Sequence, residues 1–174
     1  MRKEQKANYP ESARGAAALL VRMVLEVGAY TNIALNQYLR GSRLSDLDRR
    51  LATELVYGTV KASGTLDWYL AQCVSRPLDK VAGDILAILR ISTYQLLYMT
   101  RIPASAAVNE AVKLARSVSH EGSAKFVNGV LRGLLRKQEA GAFVLPDAEK
   151  QDADYLSLKY YHPRWLVKRW LGPW

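Results

Sequence analysis

The stretch Pro103–Arg136, PASAAVNEAVKLARSVSHEGSAKFVNGVLRGLLR, decides the fold, because it predicts two amphipathic helices joined by the short loop HEGS. The second helix has a predicted core face of apolar residues at helical spacing: Phe126, Val127, Val130, Leu131, Leu134 and Leu135. The opposite side of the same cylinder, here called the basic face, carries Lys125, Asn128, Arg132 and Arg136. The basic face is either a solvated surface, as most lysines and arginines on amphipathic helices are, or a binding surface for an anion.

The composition limits the class of protein. The chain has 174 residues, which suits one domain with a short appendage, and 49% of them are hydrophobic, which excludes a disordered chain. With 25 basic and 16 acidic residues the formal net charge is +9. Such a balance favours an anionic partner, either a nucleic acid or an acidic membrane surface.

Most of the excess charge lies in two segments. Residues 1–44 carry seven basic and three acidic side chains, and residues 107–140 carry six and three. Residues 45–106 are nearly balanced, with seven and six. The first segment adds Arg14, in the first turn of a predicted helix and off its apolar stripe, to the residues that could hold an anion. Two separate segments could therefore build one positive surface.

The rest of the chain also has helical periodicity, and strand patterns are absent. We expect a first helix to begin at a capping box formed by Asn8 and Glu11, and to end near Gly28. Further helices are predicted at 33–39, 46–61 with Ser45 as its cap, 65–74 after a break at Gly64, 79–99 and 104–118. Leu47 is expected on the apolar side of the third helix. Together these segments predict an all-α bundle of about seven helices.

Two features inside these helices need an explanation. Glu54 lies between apolar neighbours on the third helix, and Arg90 lies in DILAILRISTYQLLY, which is apolar almost all round. A buried pair of Glu54 and Arg90 would satisfy both charges. In the helix that carries the basic face, here called the basic helix, Gly129 and Gly133 are one turn apart, which favours the close approach of a neighbouring helix.

Residue patterns typical of catalysis do not occur. The glycines never fall in a phosphate-binding motif, and His120 and His162 are far apart, without metal-ligand spacing. Cys73 is the only cysteine, which excludes an internal disulfide and fits a reducing compartment; we interpret it as a small, buried apolar residue. No apolar run is long enough to cross a bilayer. We therefore expect a cytoplasmic, monomeric protein with no catalytic residues, no metal site and no cofactor of its own.

Four motifs in order, ELVYGTV at 54–60, LDWYL at 66–70, YQLLYMTRIPASAAVNEAVKLA at 94–115 and KFVNGVLR at 125–132, resemble the NusB-like RNA-binding fold. More narrowly, LDWYL, the RIP of 101–103 and YYHPRWLVKRW at 160–170 resemble the N-terminal domain of the bacterial ribosomal RNA small-subunit methyltransferase B (Sun or Fmu) family. The resemblance implies a NusB-like domain at 1–140. Residues 141–174 then correspond to a linker and the start of the segment that leads to a methyltransferase domain.

The same resemblance implies a function without an active site. In this family of cytosine-5 enzymes the methyltransferase domain binds S-adenosylmethionine and supplies the catalytic cysteines, and Cys73 does not match those positions. We expect a fragment that binds small-subunit ribosomal RNA for that domain. RNA contacts carry over to Arg14, and with less direct correspondence to Lys125, Asn128 and Arg132. The family motif NEAV, here with Asn109 and Glu110, has either a structural role or a contact with RNA.

Two hypotheses remain open from the sequence. The chain is either the RNA-binding module of a methyltransferase, or a NusB-type antitermination factor that binds RNA together with a ribosomal-protein partner. A glycine-rich cofactor motif and a Pro-Cys dipeptide downstream of Trp174 would decide for the enzyme.

Overall fold

The computed structural model describes residues 8–146, 149–150 and 152–173, and within them the chain forms nine α-helices and one 3-10 turn. The helices are α1 Ala13–Val27, α2 Thr31–Gly41, α3 Asp46–Lys61, α4 Ser63–Ala71, α5 Gly83–Tyr98, α6 Ala104–Val118, α7 Glu121–Glu139, α8 Ala153–Tyr160 and α9 Arg164–Leu171, and the 3-10 turn is Leu78–Lys80. The predicted all-α fold is confirmed, and α1 to α7 correspond to the seven predicted helices.

Helix α5 is the centre of the bundle, as its nearly continuous apolar sequence predicts. It packs against α1, α3, α4, α6 and α7. Its side chains from Ile85 to Leu89 are all buried, and so are Ile91 and Gln95. The other helices therefore need only one apolar face each, and their opposite faces are free for charged residues.

The pair of α6 and α7 forms one side of the bundle through the predicted apolar stripes. Ala111, Leu114 and Ala115 of α6 belong to the same core cluster as Val127 and other buried residues of α7. The loop between the helices is shorter than the predicted HEGS, because His120 caps α7 by accepting the backbone N–H of Ser123 at Nδ1, 3.2 Å away. The basic helix therefore begins at Glu121.

Three local predictions near helix ends are wrong. Helix α1 is capped by Ser12, whose hydroxyl accepts the N–H of Gly15 at 3.0 Å, so Asn8 and Glu11 do not form a capping box. Gly64 does not break the chain but lies inside α4, because Ala62 alone, at φ −89° and ψ 7°, separates α3 from α4. Leu47 is 76% exposed, because it follows the cap too closely to reach the core.

The predicted pair of Glu54 and Arg90 is also wrong. Arg90 donates instead to the carboxylate of Asp67 on α4, and Glu54 pairs with Arg101, which lies just beyond the end of α5. The reason is the rotation of α3, which leaves the side chain of Glu54 39% exposed and close to Arg101. A carboxylate in that position is partly hydrated and needs no buried cation.

The glycines of the basic helix do not mark a close approach of helices. A side chain added at Gly129 would meet open space, and one at Gly133 would meet only the guanidinium of Arg136 on the same helix. The close approach occurs at Gly58 of α3, where a Cβ atom would overlap the ring of Tyr94 on α5.

The segment after residue 140, predicted as a linker, contains α8 and α9. Helix α8 packs on α4, and the hydroxyl of Thr65 donates to the carbonyl of Leu158 at 2.7 Å. The ring of Tyr161 meets that of Tyr98 edge to face, with centroids 5.8 Å apart. Of the helices in the described ranges, none is both long and apolar enough to cross a bilayer.

Candidate nucleic-acid interface

The basic face lies on the solvent side of α7, as the periodicity predicts. Lys125, Arg132 and Arg136 are exposed, and Asn128 is half-buried. Arg132 donates from Nε to Oδ1 of Asn128 at 2.9 Å, which restricts the guanidinium to one side of the helix. The structure thus places all four predicted residues on one surface.

An acidic residue at the start of α7 is paired with a residue outside the basic face. Glu121 lies at the start of α7, but Arg116 of α6 donates to it from Nε at 2.6 Å. This hydrogen bond, with the nearby charge of Lys125 as a smaller cause, holds the pKa of Glu121 below its ordinary value. Within the described ranges, no ion pair involves Lys125, Arg132 or Arg136. Their positive potential is therefore available to a ligand.

Arg14 occupies a different setting from the basic face. Its Nε donates to Oε1 of Gln95 at 2.8 Å, and Gln95 is 1% exposed and is itself held by the carbonyl of Ile91 at 3.0 Å. The guanidinium borders a cavity of about 300 Å³ that Glu110 and other residues of α6 also line. Arg14 is therefore half-buried and positioned by the core, rather than a freely mobile surface cation.

Helix α6 packs on both α1 and α7, so Arg14 and the basic face lie on two neighbours of one helix. The structure does not bring Arg14 into contact with the described side chains of the basic face. Asn109 is exposed on α6, and Glu110 pairs with Lys113 one turn later at 3.5 Å. Any ligand that reaches both Arg14 and the basic face must therefore cross the outer surface of α6.

Sequence reasoning missed two cations near the basic face, one in the loop after α4 and one in the last turn of α7. The guanidinium of Arg76 lies over the ring of Phe126, with its Cζ 4.8 Å from the ring centroid, and Lys137 donates to the carbonyl of Gln72. Lys137 belongs to a segment recognised as basic, but its spacing does not place it on the basic face. Arg76 belongs to residues 45–106, whose balanced charge gave no signal at all. Only the packing of the loop after α4 against α7 reveals this neighbour.

Cys73 does not have the surroundings of a reactive thiol. It is half-buried, and burial raises the pKa of its thiol more than the charge of Lys137 lowers it. A thiol of raised pKa is a poor nucleophile at neutral pH. In the part of the chain that the structure describes, no three potential metal ligands of the His, Cys, Asp or Glu type converge on one point.

Comparison with known families gives a match over residues 11–136, to the NusB family. The chain belongs to the NusB family. This match ends at the last residue of the basic face, so it includes α1 to most of α7 but neither α8 nor α9.

Relatives of this NusB-family chain share more of its length. It is 40% identical over 163 residues to a probable ribosomal RNA small subunit methyltransferase B of Synechocystis sp., covering 94% of this chain and 36% of that protein. With the Bacillus subtilis protein of the same description the identity is 39% over 142 residues, covering 82% and 31%. The chain thus spans about a third of the length of these curated relatives.

Solved structures confirm the fold. A structure described as antitermination factors NusB and NusE in complex with dsRNA matches with a TM-score of 0.66 and 20% identity, covering 72% of this chain and 95% of the other. NusB of T. maritima matches with a TM-score of 0.66 and 21% identity, covering 77% and 98%. At this level of identity the comparison concerns the fold alone.

Proposed function

We propose that this chain is the RNA-binding domain of an S-adenosylmethionine-dependent rRNA (cytosine-5-)-methyltransferase, and that it helps to dock small-subunit ribosomal RNA. The observation that carries the proposal is the 40% identity to a methyltransferase B over 94% of this chain, while 64% of that protein has no counterpart here. The catalytic domain, with its cofactor site, is assigned to the part without a counterpart. The chain then acts in the cytoplasm, beside that domain, as a monomer.

The extent of the similarity favours this proposal over a free antitermination factor. Identity to the methyltransferase of Synechocystis sp. extends over 163 residues, whereas the NusB family match ends at residue 136. A match over 94% of the chain cannot leave out α8, and α8 packs on α4. Identity to the NusB structures is only about half as high, at 20% and 21%. A partner of the NusE type therefore has less support than a methyltransferase domain.

The RNA contacts are assigned to Arg14 and to the basic face. Lys125, Arg132 and Arg136 are exposed cations without an ion pair in the described part of the chain, which suits contacts with phosphate. Asn128 holds Arg132 in place through the 2.9 Å hydrogen bond. Arg14 offers a guanidinium that the buried Gln95 has already positioned, so its contact costs little conformational entropy.

The test is the binding of this chain to a small-subunit rRNA hairpin at several salt concentrations, measured by fluorescence anisotropy. Affinity falls as salt rises, and each lost phosphate contact reduces the magnitude of the slope of log affinity against log salt by roughly 0.7 to 0.9. We expect Arg132→Ala to weaken binding and lower the slope by that amount, with an unchanged unfolding midpoint. Arg40→Ala, at an exposed position on α2, is the matched control and should leave the slope unchanged.

Arg116 is a poor control, although it lies next to the basic face, because its removal leaves Glu121 unpaired at the start of α7. That change alters the field of the basic face itself. Equal losses in Arg132→Ala and Arg40→Ala would show that the RNA senses only the net charge, and the assigned surface would then be wrong.

A second measurement tests whether catalysis belongs to the part of the enzyme outside this chain. Labelled S-adenosylmethionine incubated with ribosomal RNA and this chain alone should leave no label on the RNA. Addition of the remaining two thirds of a full-length relative should restore methylation. Turnover by the purified chain alone would contradict the assignment of catalysis to another domain.

A further inference from the structure

A second cationic site lies beside the basic face, in a cavity between the 3-10 turn and the start of α7. The cavity has a volume of about 360 Å³, and its polar lining consists of Arg76, Lys80, Ser119, His120 and Ser123. Among the described residues no carboxylate lines it. It is thus a concave surface with two permanent positive charges and several hydrogen-bond donors.

The positive charges of this cavity are not used elsewhere in the described structure. Neither Arg76 nor Lys80 takes part in an ion pair among the described residues. Asp79 precedes Lys80 in the chain but does not line the cavity, and two further carboxylates nearby have other partners: Asp84 binds Arg22, and Glu121 binds Arg116. An anion that enters the cavity therefore displaces no internal salt bridge.

Packing restricts the guanidinium of Arg76 before any ligand arrives. Its Cζ lies 4.8 Å from the centroid of the Phe126 ring, a stacking distance for a cation on an aromatic face. A planar guanidinium that is stacked on one side presents its N–H groups at its edge. Phe126 itself packs against the core, so the platform beneath Arg76 is rigid.

Two hydroxyl groups complete the lining. The hydroxyls of Ser119 and Ser123 are 2.9 Å apart, and that of Ser123 is also 3.3 Å from Nε2 of His120. Because Nδ1 of His120 accepts the N–H of Ser123, the neutral ring donates from Nε2, and one serine O–H is left free to turn toward a ligand. The backbone N–H of Ser123 is already taken by His120. The site therefore rests on side chains, and not on free donors at the end of α7.

We infer that this cavity binds a phosphate group, and that the phosphate belongs to the backbone of the RNA that the basic face holds. Phe126 beneath Arg76 directly follows Lys125 of the basic face, so a strand lying on the face would reach the cavity with its next phosphates. That the phosphate comes from RNA rests on the proposed function, whereas the affinity of the cavity for a phosphate group follows from its lining residues.

The first arm of the test measures RNA binding by the whole chain against salt, for Arg76→Gln, Lys80→Gln and the double variant. Each single change should weaken binding several-fold and lower the salt slope by roughly 0.7 to 0.9. The double variant should lose hardly more than either single one, because both side chains hold the same phosphate. The matched control is Arg40→Gln with Arg43→Gln, two exposed cations in α2 and in the connection after it, which should leave the slope unchanged. Unfolding midpoints confirm that each variant is folded.

The second arm uses inorganic phosphate and NMR, and separates the two proposals. Phosphate should shift the Nε–H signal of Arg76 and the amide signals of Ser119 and Ser123 in a saturable way, and Lys80→Gln should abolish the shifts. If the wild-type chain fails to bind RNA but shows these shifts, the proposed function is wrong and the phosphate site stands. If RNA binds the double variant as it binds the wild type, the RNA source is wrong. The absence of saturable shifts in the wild type overturns the site.

Discussion

Arg90 of α5 donates two parallel hydrogen bonds to the carboxylate of Asp67 on α4, from Nε at 2.8 Å and from Nη2 at 2.9 Å. The two side chains are 13% and 32% exposed. This planar, two-bond geometry is the strongest that an arginine forms with a carboxylate. It joins the central helix to the helix on which α8 packs, so it orients the C-terminal segment relative to the core.

The first prediction concerns this pair. Arg90→Met should lower the free energy of unfolding by about 2 to 3 kcal/mol, less than for a fully buried pair because Asp67 retains some hydration. The double change Arg90→Met with Asp67→Leu should recover much of that loss, since it leaves no unpaired charge. Urea denaturation provides the measurement. Arg101→Met is the control, because its pair with Glu54 is exposed and should be worth less than about 1 kcal/mol.

The second prediction compares two glycines of helix interiors. Gly129→Ala should stabilise the protein by about 0.5 to 1 kcal/mol, because the added methyl group meets open space and restricts the unfolded chain. Gly58→Ala should destabilise it by more than that, because its Cβ would overlap the ring of Tyr94. Thermal unfolding of both variants shows directly whether each change in stability is positive or negative. Destabilisation by Gly129→Ala would show that an element packs there in solution.

Features within one helix could be predicted from the sequence, whereas contacts between helices could not. Pro103 and the apolar stripe after it predicted the bounds of α6, because a proline is a local signal for a helix end. Periodicity predicted the placement of Lys125, Arg132 and Arg136 on one face, because that depends on the angle between successive residues of a single helix. The partner of Arg90 depends on the rotation of α4 and α3 about their own axes. Helical spacing within one segment contains no information about that rotation.

The candidate site divides in the same way. The net charge of residues 107–140 indicated the basic face, but Arg76 joins it only through the fold, from a segment with balanced charge. Arg14 was predicted to lie off the apolar stripe of the first helix, and the structure shows its hydrogen bond to Gln95, a residue 81 positions away in the chain. Contacts of this range follow from tertiary packing, which local patterns do not specify.

The third prediction is a loss of stability in alkaline solution. Burial, more than the hydrogen bond with Tyr161, raises the pKa of Tyr98 above its ordinary value, and burial followed by the bond to Asp84 raises that of Tyr9. Both phenols stay protonated in the folded state while the unfolded chain loses protons from about pH 10 upward. Their stabilisation is therefore complete below pH 10 and decreases as the pH rises toward the folded-state pKa.

Tyr98→Phe isolates one of these groups. Because phenylalanine does not titrate, the decline of the unfolding free energy above pH 10 should be shallower in this variant than in the wild type. Urea denaturation between pH 9 and pH 11 supplies the two curves. Tyr30→Phe, at a side chain that is 76% exposed, is the matched control and should follow the wild-type curve. Tyr98 is 36% exposed, so its desolvation is partial, and parallel curves for Tyr98→Phe and the wild type would contradict its raised pKa.

The last prediction uses two buried threonines and the same isosteric substitution. Thr65 is 5% exposed and donates to the carbonyl of Leu158, whereas the hydroxyl of Thr93, in a residue that is 0% exposed, has no partner among the described residues. Thr65→Val leaves a carbonyl of α8 without its donor and should cost about 1 to 2 kcal/mol. Thr93→Val removes an unsatisfied group and should be neutral or stabilising by up to about 1 kcal/mol.

The two variants differ only in the environment of the lost hydroxyl, so each serves as the control for the other. Hydrogen exchange adds a local readout: in Thr65→Val the amides of α8 should exchange faster, while those of α5 keep their protection. This outcome would show that the bond from Thr65 fastens α8 to the bundle. If Thr65→Val changes neither stability nor exchange in α8, the bond to Leu158 does not hold α8 on α4. Apolar contacts, among them the ring pair of Tyr98 and Tyr161, would then hold the C-terminal segment on the bundle.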